Sequence, residues 1–207
     1  MAVMPRVFWR LGVRLQFCRL IHMSVEEIER PKVLYHASPN KDLTALSARA
    51  ESVRDPSEGP VVFGTPDIAY ASCFLVSGSS DSWTKISRWS ASPDSRGPWN
   101  FICSDRERFT KEDKGGTIYK LSPEGFETDP NKGTGLSEWT SKTGATPVGR
   151  IDYDSAFGAM LENGVQVRFT DKNTLTRMRG AEDHGYSLLK NIISENEKLG
   201  RNYIPIN

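Results

Sequence analysis

Val61-Val62-Phe63-Gly64-Thr65-Pro66-Asp67-Ile68-Ala69-Tyr70-Ala71 changes character within a few residues. Its β-branched and aromatic opening reads as a short strand. Gly64-Thr65-Pro66-Asp67 then reads as a turn into a helix, because Thr65 can cap, Pro66 suits the first helical position and Asp67 suits the positive end of the helix dipole. That helix is expected from Pro66 to about Phe74. Upstream, Lys32-Val33-Leu34-Tyr35-His36 is a strand cut off by Ala37-Ser38-Pro39-Asn40. Downstream, Ser77 to Trp99 reads as irregular, Phe101-Ile102-Cys103 as a strand, and Ile118-Tyr119-Lys120-Leu121 as a stronger one after the Gly115-Gly116 turn. An edge strand is expected at Ser137–Ser141. A helix follows over Asp154–Asn163, capped by Asp154 or Ser155 and stopped by Gly164; Val165–Phe169 alternates as a strand, and Asp183–Leu199 reads as a polar terminal helix. This order, β-α-β-β-β-α-β-α, predicts a mixed α+β fold.

The 207-residue chain carries 27 Lys and Arg against 26 Asp and Glu, so its net charge of +1 supplies no bulk field for polyanions or anionic lipid. Arg106, Arg108 and Lys111 alternate with Asp105 and Glu107 as a mixed-charge surface. The 17 glycines, 12 prolines and mean hydropathy of −0.49 favour loops around a modest core over a helical bundle. Cys18, Cys73 and Cys103 are odd in number and widely spaced, which argues against a disulfide framework or a zinc site and for a reducing compartment. Cys73, inside Ala71-Ser72-Cys73-Phe74-Leu75-Val76, reads as packing. No run of about 18 apolar residues exists, and no membrane association is expected.

Met1 to Ser24 holds Arg6, Arg10, Arg14 and Arg19 and no acidic residue. It reads either as a mitochondrial transit peptide or as an upstream start, with Met23 the initiator. Residues 1–23 are therefore set apart as an N-terminal extension and 24–207 as a single domain, cytoplasmic unless the extension directs it to mitochondria.

Phosphate loops, dinucleotide glycine fingerprints, nucleophile elbows and His-Glu-x-x-His motifs are missing. Of the three histidines, His22 is in the extension, His184 in a polar segment, and His36 at the lip of a loop where a scaffold would hold a site residue. Leu34-Tyr35-His36-Ala37-Ser38, Val62-Phe63-Gly64-Thr65 with Ala69-Tyr70, and Glu138-Trp139 follow one another in order. Together they resemble the ADP-ribosyltransferase superfamily, in its His-Tyr-Glu branch of diphtheria toxin and the poly(ADP-ribose) polymerases, over Val33 to about Tyr153. Ala37 stands where that branch has Gly, Phe63 where it has Tyr, and Tyr70 follows at a shorter spacing than in the polymerases.

The resemblance implies split antiparallel sheets with flanking helices around an NAD cleft, into which His36 and Glu138 would point. It implies NAD as substrate, no metal, and transfer of ADP-ribose to a protein, nucleic acid or small molecule. Glu138 would be the catalytic residue, stabilising an oxocarbenium-like ribose. His36, Ser38, Thr65 and Tyr70 would bind the cofactor: His36 at the adenosine-side ribose, Ser38 at the amide, Tyr70 by stacking on nicotinamide. Against these stand a structural His36, a solvated edge Glu138, and Trp83, Trp89, Trp99 and Trp139 as core or lid anchors. A non-catalytic module that reads a ligand through the tryptophan-rich segment, on this or another small α+β fold, is the alternative. Deletion of residues 1–22 is expected to leave the melting temperature essentially unchanged, checked by a thermal melt of both forms.

Overall fold

The computed structural model describes residues 28–49, 58–78, 81–88, 97–183 and 185–198. The N-terminal extension, Cys18, Trp89 and His184 lie outside them. In chain order the strands are β1 (Leu34–Ser38), β2 (Val62–Gly64), β3 (Thr84–Arg88), β4 (Trp99–Cys103), β5 (Gly116–Leu121), β6 (Trp139–Ser141), β7 (Pro147–Tyr153) and β8 (Gln166–Phe169). The helices are α1 (Ile68–Ser72), α2 (Arg106–Glu112), α3 (Ala156–Glu162), α4 (Lys172–Gly180) and α5 (Tyr186–Lys198). Among the described residues no helix is long and apolar enough to cross a membrane.

Backbone pairing sorts the strands into three small sheets, β1-β5-β7, β2-β6 and β3-β4-β8, antiparallel except where β8 runs parallel to β4. The fold is mixed α+β, as the sequence predicts. A bridge between Tyr35 and Thr65 stitches the first two sheets together: the Tyr35 amide donates to the Thr65 carbonyl at 2.7 Å and the Thr65 amide returns a bond at 3.0 Å. Spatially the strands thus run β6-β2-β1-β5-β7.

Alternation divides β1 between two cores. Leu34 packs with Val62, Tyr119, Leu121, Phe126 and Trp139. Tyr35 and Ala37 lie against the other core, built from Tyr70, Cys73, Leu75, Trp99, Phe101, Ile118 and Met160. Every residue of β4 is buried, because Phe101 and Cys103 face that core while Ile102 meets Leu175, Met178 and Leu189 of α4 and α5.

Two local expectations are corrected, and three further elements appear. The N-cap of the first helix is Asp67, not Thr65; its side chain accepts from the Ala69 and Tyr70 amides, while Thr65 Oγ1 accepts from the Asp67 amide one step earlier in the turn. The Ser77–Trp99 stretch is not irregular throughout, since β3 runs through it and forms a hairpin with β4. Its Lys85, Ser87 and Arg88 conceal a strand that pairing with the apolar β4 stabilises. The polar helix expected over Asp183–Leu199 is α5, and a further helix, α4, capped by Asp171, precedes it. Last, β7 and α2 emerge from segments too rich in Gly, Pro and charge to read as periodic elements.

At the start of β5, Gly115 has φ of +68°, and a Cβ there would run into the Tyr153 carbonyl and come within 2.6 Å of the Asp154 carbonyl carbon. Both obstacles are backbone, so neither can rotate away. Gly115→Ala should therefore cost more than about 2 kcal/mol of unfolding free energy in a urea titration.

Candidate functional site

Tyr70 leaves α1 with its ring stacked on Trp99 at 4.3 Å between centroids and edge-on to Phe74 at 5.0 Å. Its hydroxyl, in a side chain only 6% exposed, donates to Glu138 Oε1 at 2.7 Å and is hydrogen-bonded also by the Thr134 side chain. Burial, then the charge and hydrogen bond of Glu138, push the phenol far above its ordinary range, so it remains a donor.

Glu138 is held by its backbone as well. It follows a 3-10 turn at Gly135–Ser137, donates its amide to the Gly135 carbonyl at 2.9 Å, and its carbonyl accepts from Thr128 Oγ1 at 2.7 Å. Paired bonds between Glu127 and Thr140, at 2.8 and 2.9 Å, close the base of this loop. The next residue, Trp139, opens β6 opposite Gly64 of β2. A half-buried carboxylate thus stands immediately before the strand, aimed by a phenol from a different element.

His36 is anchored to the other side of β2. Its Nδ1 lies 2.8 Å from the Phe63 carbonyl, and since a carbonyl only accepts, Nδ1 carries the proton. Burial, with the positive charge of Arg49 adding to it, moves the imidazole below its ordinary value despite the opposing Phe63 bond. The neutral ring leaves Nε2 as an acceptor. His36 shares its face of β1 with Leu34, whereas Tyr70 belongs to the core under Tyr35 and Ala37.

The structure therefore brings Tyr70 and Glu138 into direct contact and ties His36 to β2, the strand that β6 pairs with on its opposite edge. Thr65, 5% exposed, is committed to the Tyr35 bridge and to the turn before α1. Ser38 ends β1 and accepts the Asn40 amide at 3.2 Å.

Three further residues join this constellation. Asp67 Oδ2 accepts from Trp99 Nε1 at 2.8 Å and from Arg88 at 3.0 Å, while its Oδ1 caps α1. The Arg88 guanidinium also lies over the Trp99 ring, 5.4 Å from its centroid, and donates through Nε to the Gly97 carbonyl. In the sequence, Asp67 carries a helix-start signal and Trp99 a core signal, but nothing in the spacing joins them to Arg88. Among the described residues no group of three His, Cys, Asp or Glu side chains could hold a metal ion. Compared with known proteins, the chain matches no family model, no curated protein and no solved structure.

The burial of His36 fixes a sign for pH dependence. Because its folded pKa is below the ordinary 6.5, its contribution is complete above about pH 7 and is lost as the unfolded chain takes up the proton at lower pH. The stability difference between the parent and His36→Gln should thus be flat above that pH and shrink on acidification, measured by urea titrations across the range.

Proposed function

We propose that the chain is an NAD-dependent ADP-ribosyltransferase, a glycosyltransferase-class enzyme that uses NAD as a substrate and needs no metal. The observation that carries this reading is the 2.7 Å hydrogen bond from the buried Tyr70 hydroxyl to Glu138 at the start of β6. Breaking the bond between C1′ and nicotinamide leaves the electron pair on nicotinamide and positive charge on the ribose. A carboxylate fixed before that charge develops stabilises it without reorganising. Glu138 is the catalytic residue on this reading.

His36 supports the reading through its tautomer. With Nδ1 occupied by Phe63, Nε2 can accept from a ribose hydroxyl on the adenosine side. Ser38 at the end of β1 would meet the nicotinamide amide, and Thr65 would keep β1 and β2 at a fixed separation along the cofactor. Tyr70 is stacked on Trp99 and only 6% exposed, so its part in the site is the bond of its hydroxyl to Glu138. Supporting the reading, His36 and Ser38 lie in β1, Thr65 follows β2 and Glu138 precedes β6, three neighbouring strands, with Tyr70 on α1. A ligand-reading module built on the tryptophans is less favoured, because Trp83, Trp99 and Trp139 are all buried.

Calorimetric NAD binding and nicotinamide release, measured side by side, test the assignment. Glu138→Gln should slow release by about a hundredfold or more while leaving NAD affinity nearly intact, since its role belongs to the transition state. His36→Ala should weaken binding instead. No binding by the parent rejects the cofactor, and binding without release under any acceptor tried favours the non-catalytic module. Equal loss of affinity from both substitutions contradicts the role given to Glu138.

A further inference from the structure

We infer that Asp67, acting through Trp99 and Arg88, is a positioning residue that sets the Tyr70–Glu138 pair. The inference rests on the reading of Glu138 as the acting carboxylate, and it extends that reading into the β3–β4 hairpin.

Asp67 divides its two oxygens between two tasks. Oδ1 accepts the Ala69 and Tyr70 amides at 3.0 and 3.4 Å and so fixes the start of the helix that carries Tyr70. Oδ2 accepts from Trp99 Nε1 at 2.8 Å and from Arg88 at 3.0 Å, and these residues come from β4 and β3. Helix capping alone needs one oxygen. The second oxygen fixes the Trp99 ring in its own plane, and that ring is stacked on Tyr70 at 4.3 Å with 24° between planes.

An indole free to slide would leave Tyr70 free to tilt about a five-residue helix that passes at once into a 3-10 turn. With Trp99 held by Asp67 and covered by the Arg88 guanidinium, the phenol has one direction for its hydroxyl, toward Glu138. Arg88 is fixed in turn by the Gly97 carbonyl at 2.7 Å, at the loop end of the hairpin. A chain of contacts therefore runs from the third sheet to the candidate catalytic carboxylate, in which each member acts through the next.

The substitution Asp67→Asn separates the two tasks, because asparagine is as good an N-cap as aspartate yet cannot accept through both terminal atoms. Trp99→Phe removes the indole donor and keeps a stacked ring. Asp105→Asn is the control, since Asp105 caps α2 by accepting the Arg108 amide away from Tyr70. The readout is the ζ-carbon resonance of Tyr70 in protein labelled at that carbon of tyrosine, assigned by its loss in Tyr70→Phe. Asp67→Asn and Trp99→Phe should both move it toward its position in Glu138→Gln, with Asp105→Asn leaving it in place. In nicotinamide release, both should lower kcat about tenfold with little change in KM. An unmoved Tyr70 resonance in Trp99→Phe, or in a folded Asp67→Asn, overturns the inference. If the parent neither binds NAD nor releases nicotinamide, the proposed function fails, and the resonance still decides whether the chain of contacts exists.

Discussion

The two backbone hydrogen bonds between Tyr35 and Thr65 are the constraint on which the site depends. They join a pair of strands that would be too small to stand alone, β2-β6, to the three-stranded sheet β1-β5-β7. Once Thr65 is held there, the chain must turn within two residues, which puts Asp67 at the helix start and Tyr70 beneath β1. The same bridge fixes β6 one strand further out, and with it the position of Glu138. His36 and Glu138 are then set on either side of β2 by main-chain geometry, before any side chain makes a contact.

Side-chain energetics then choose the partner of Tyr70. Burying a phenol hydroxyl without a partner costs about 1–3 kcal/mol, which would offset much of what burial of the ring contributes. A hydrogen bond to a charged acceptor returns about 1.5–3 kcal/mol, and the stack on Trp99 adds roughly 0.5–1.5 kcal/mol. Glu138 is thus a stabilising acceptor for α1 as well as the candidate catalytic group. Replacement by Gln keeps an acceptor for the hydroxyl, whereas Ala would remove it. The stabilising role of the carboxylate and its proposed catalytic one are separable for that reason.

What was legible in the sequence follows the same division. Val62-Phe63 and Ile118–Leu121 read as strands because β-branched and aromatic residues cluster there, and Gly115 marks the turn that its positive φ requires. Tyr70 and Glu138 were legible as candidates from the order of short motifs, but their hydrogen bond spans 68 residues and no local pattern encodes it. The cap lies two residues beyond the one the sequence suggests because Thr65 and Asp67 are both good caps, and the Tyr35 bridge, a tertiary contact, claims the Thr65 backbone. Arg88 was illegible for a related reason: Thr84-Lys85-Ile86-Ser87-Arg88 has little apolar content, and it becomes a strand when β4 supplies the apolar partner.

On the proposed reading, the cysteines bear on where the attacking group of the transfer comes from. Cys73 lies one turn after Tyr70, wholly buried, with its Sγ donating to the Ala69 carbonyl; burial, followed by the charge of Asp67, pushes the thiol far up. Cys103, at the end of β4, donates to the Asp105 carbonyl at 3.1 Å, and burial raises it to about 11. Both thiols are therefore protonated at neutral pH, and a thiol in that state is a poor nucleophile. Tyr70 is likewise kept as a donor by its surroundings. The phenol beside Glu138 and both described thiols are thus tuned to hold protons, which on the proposed reading leaves the nucleophile to arrive with the acceptor.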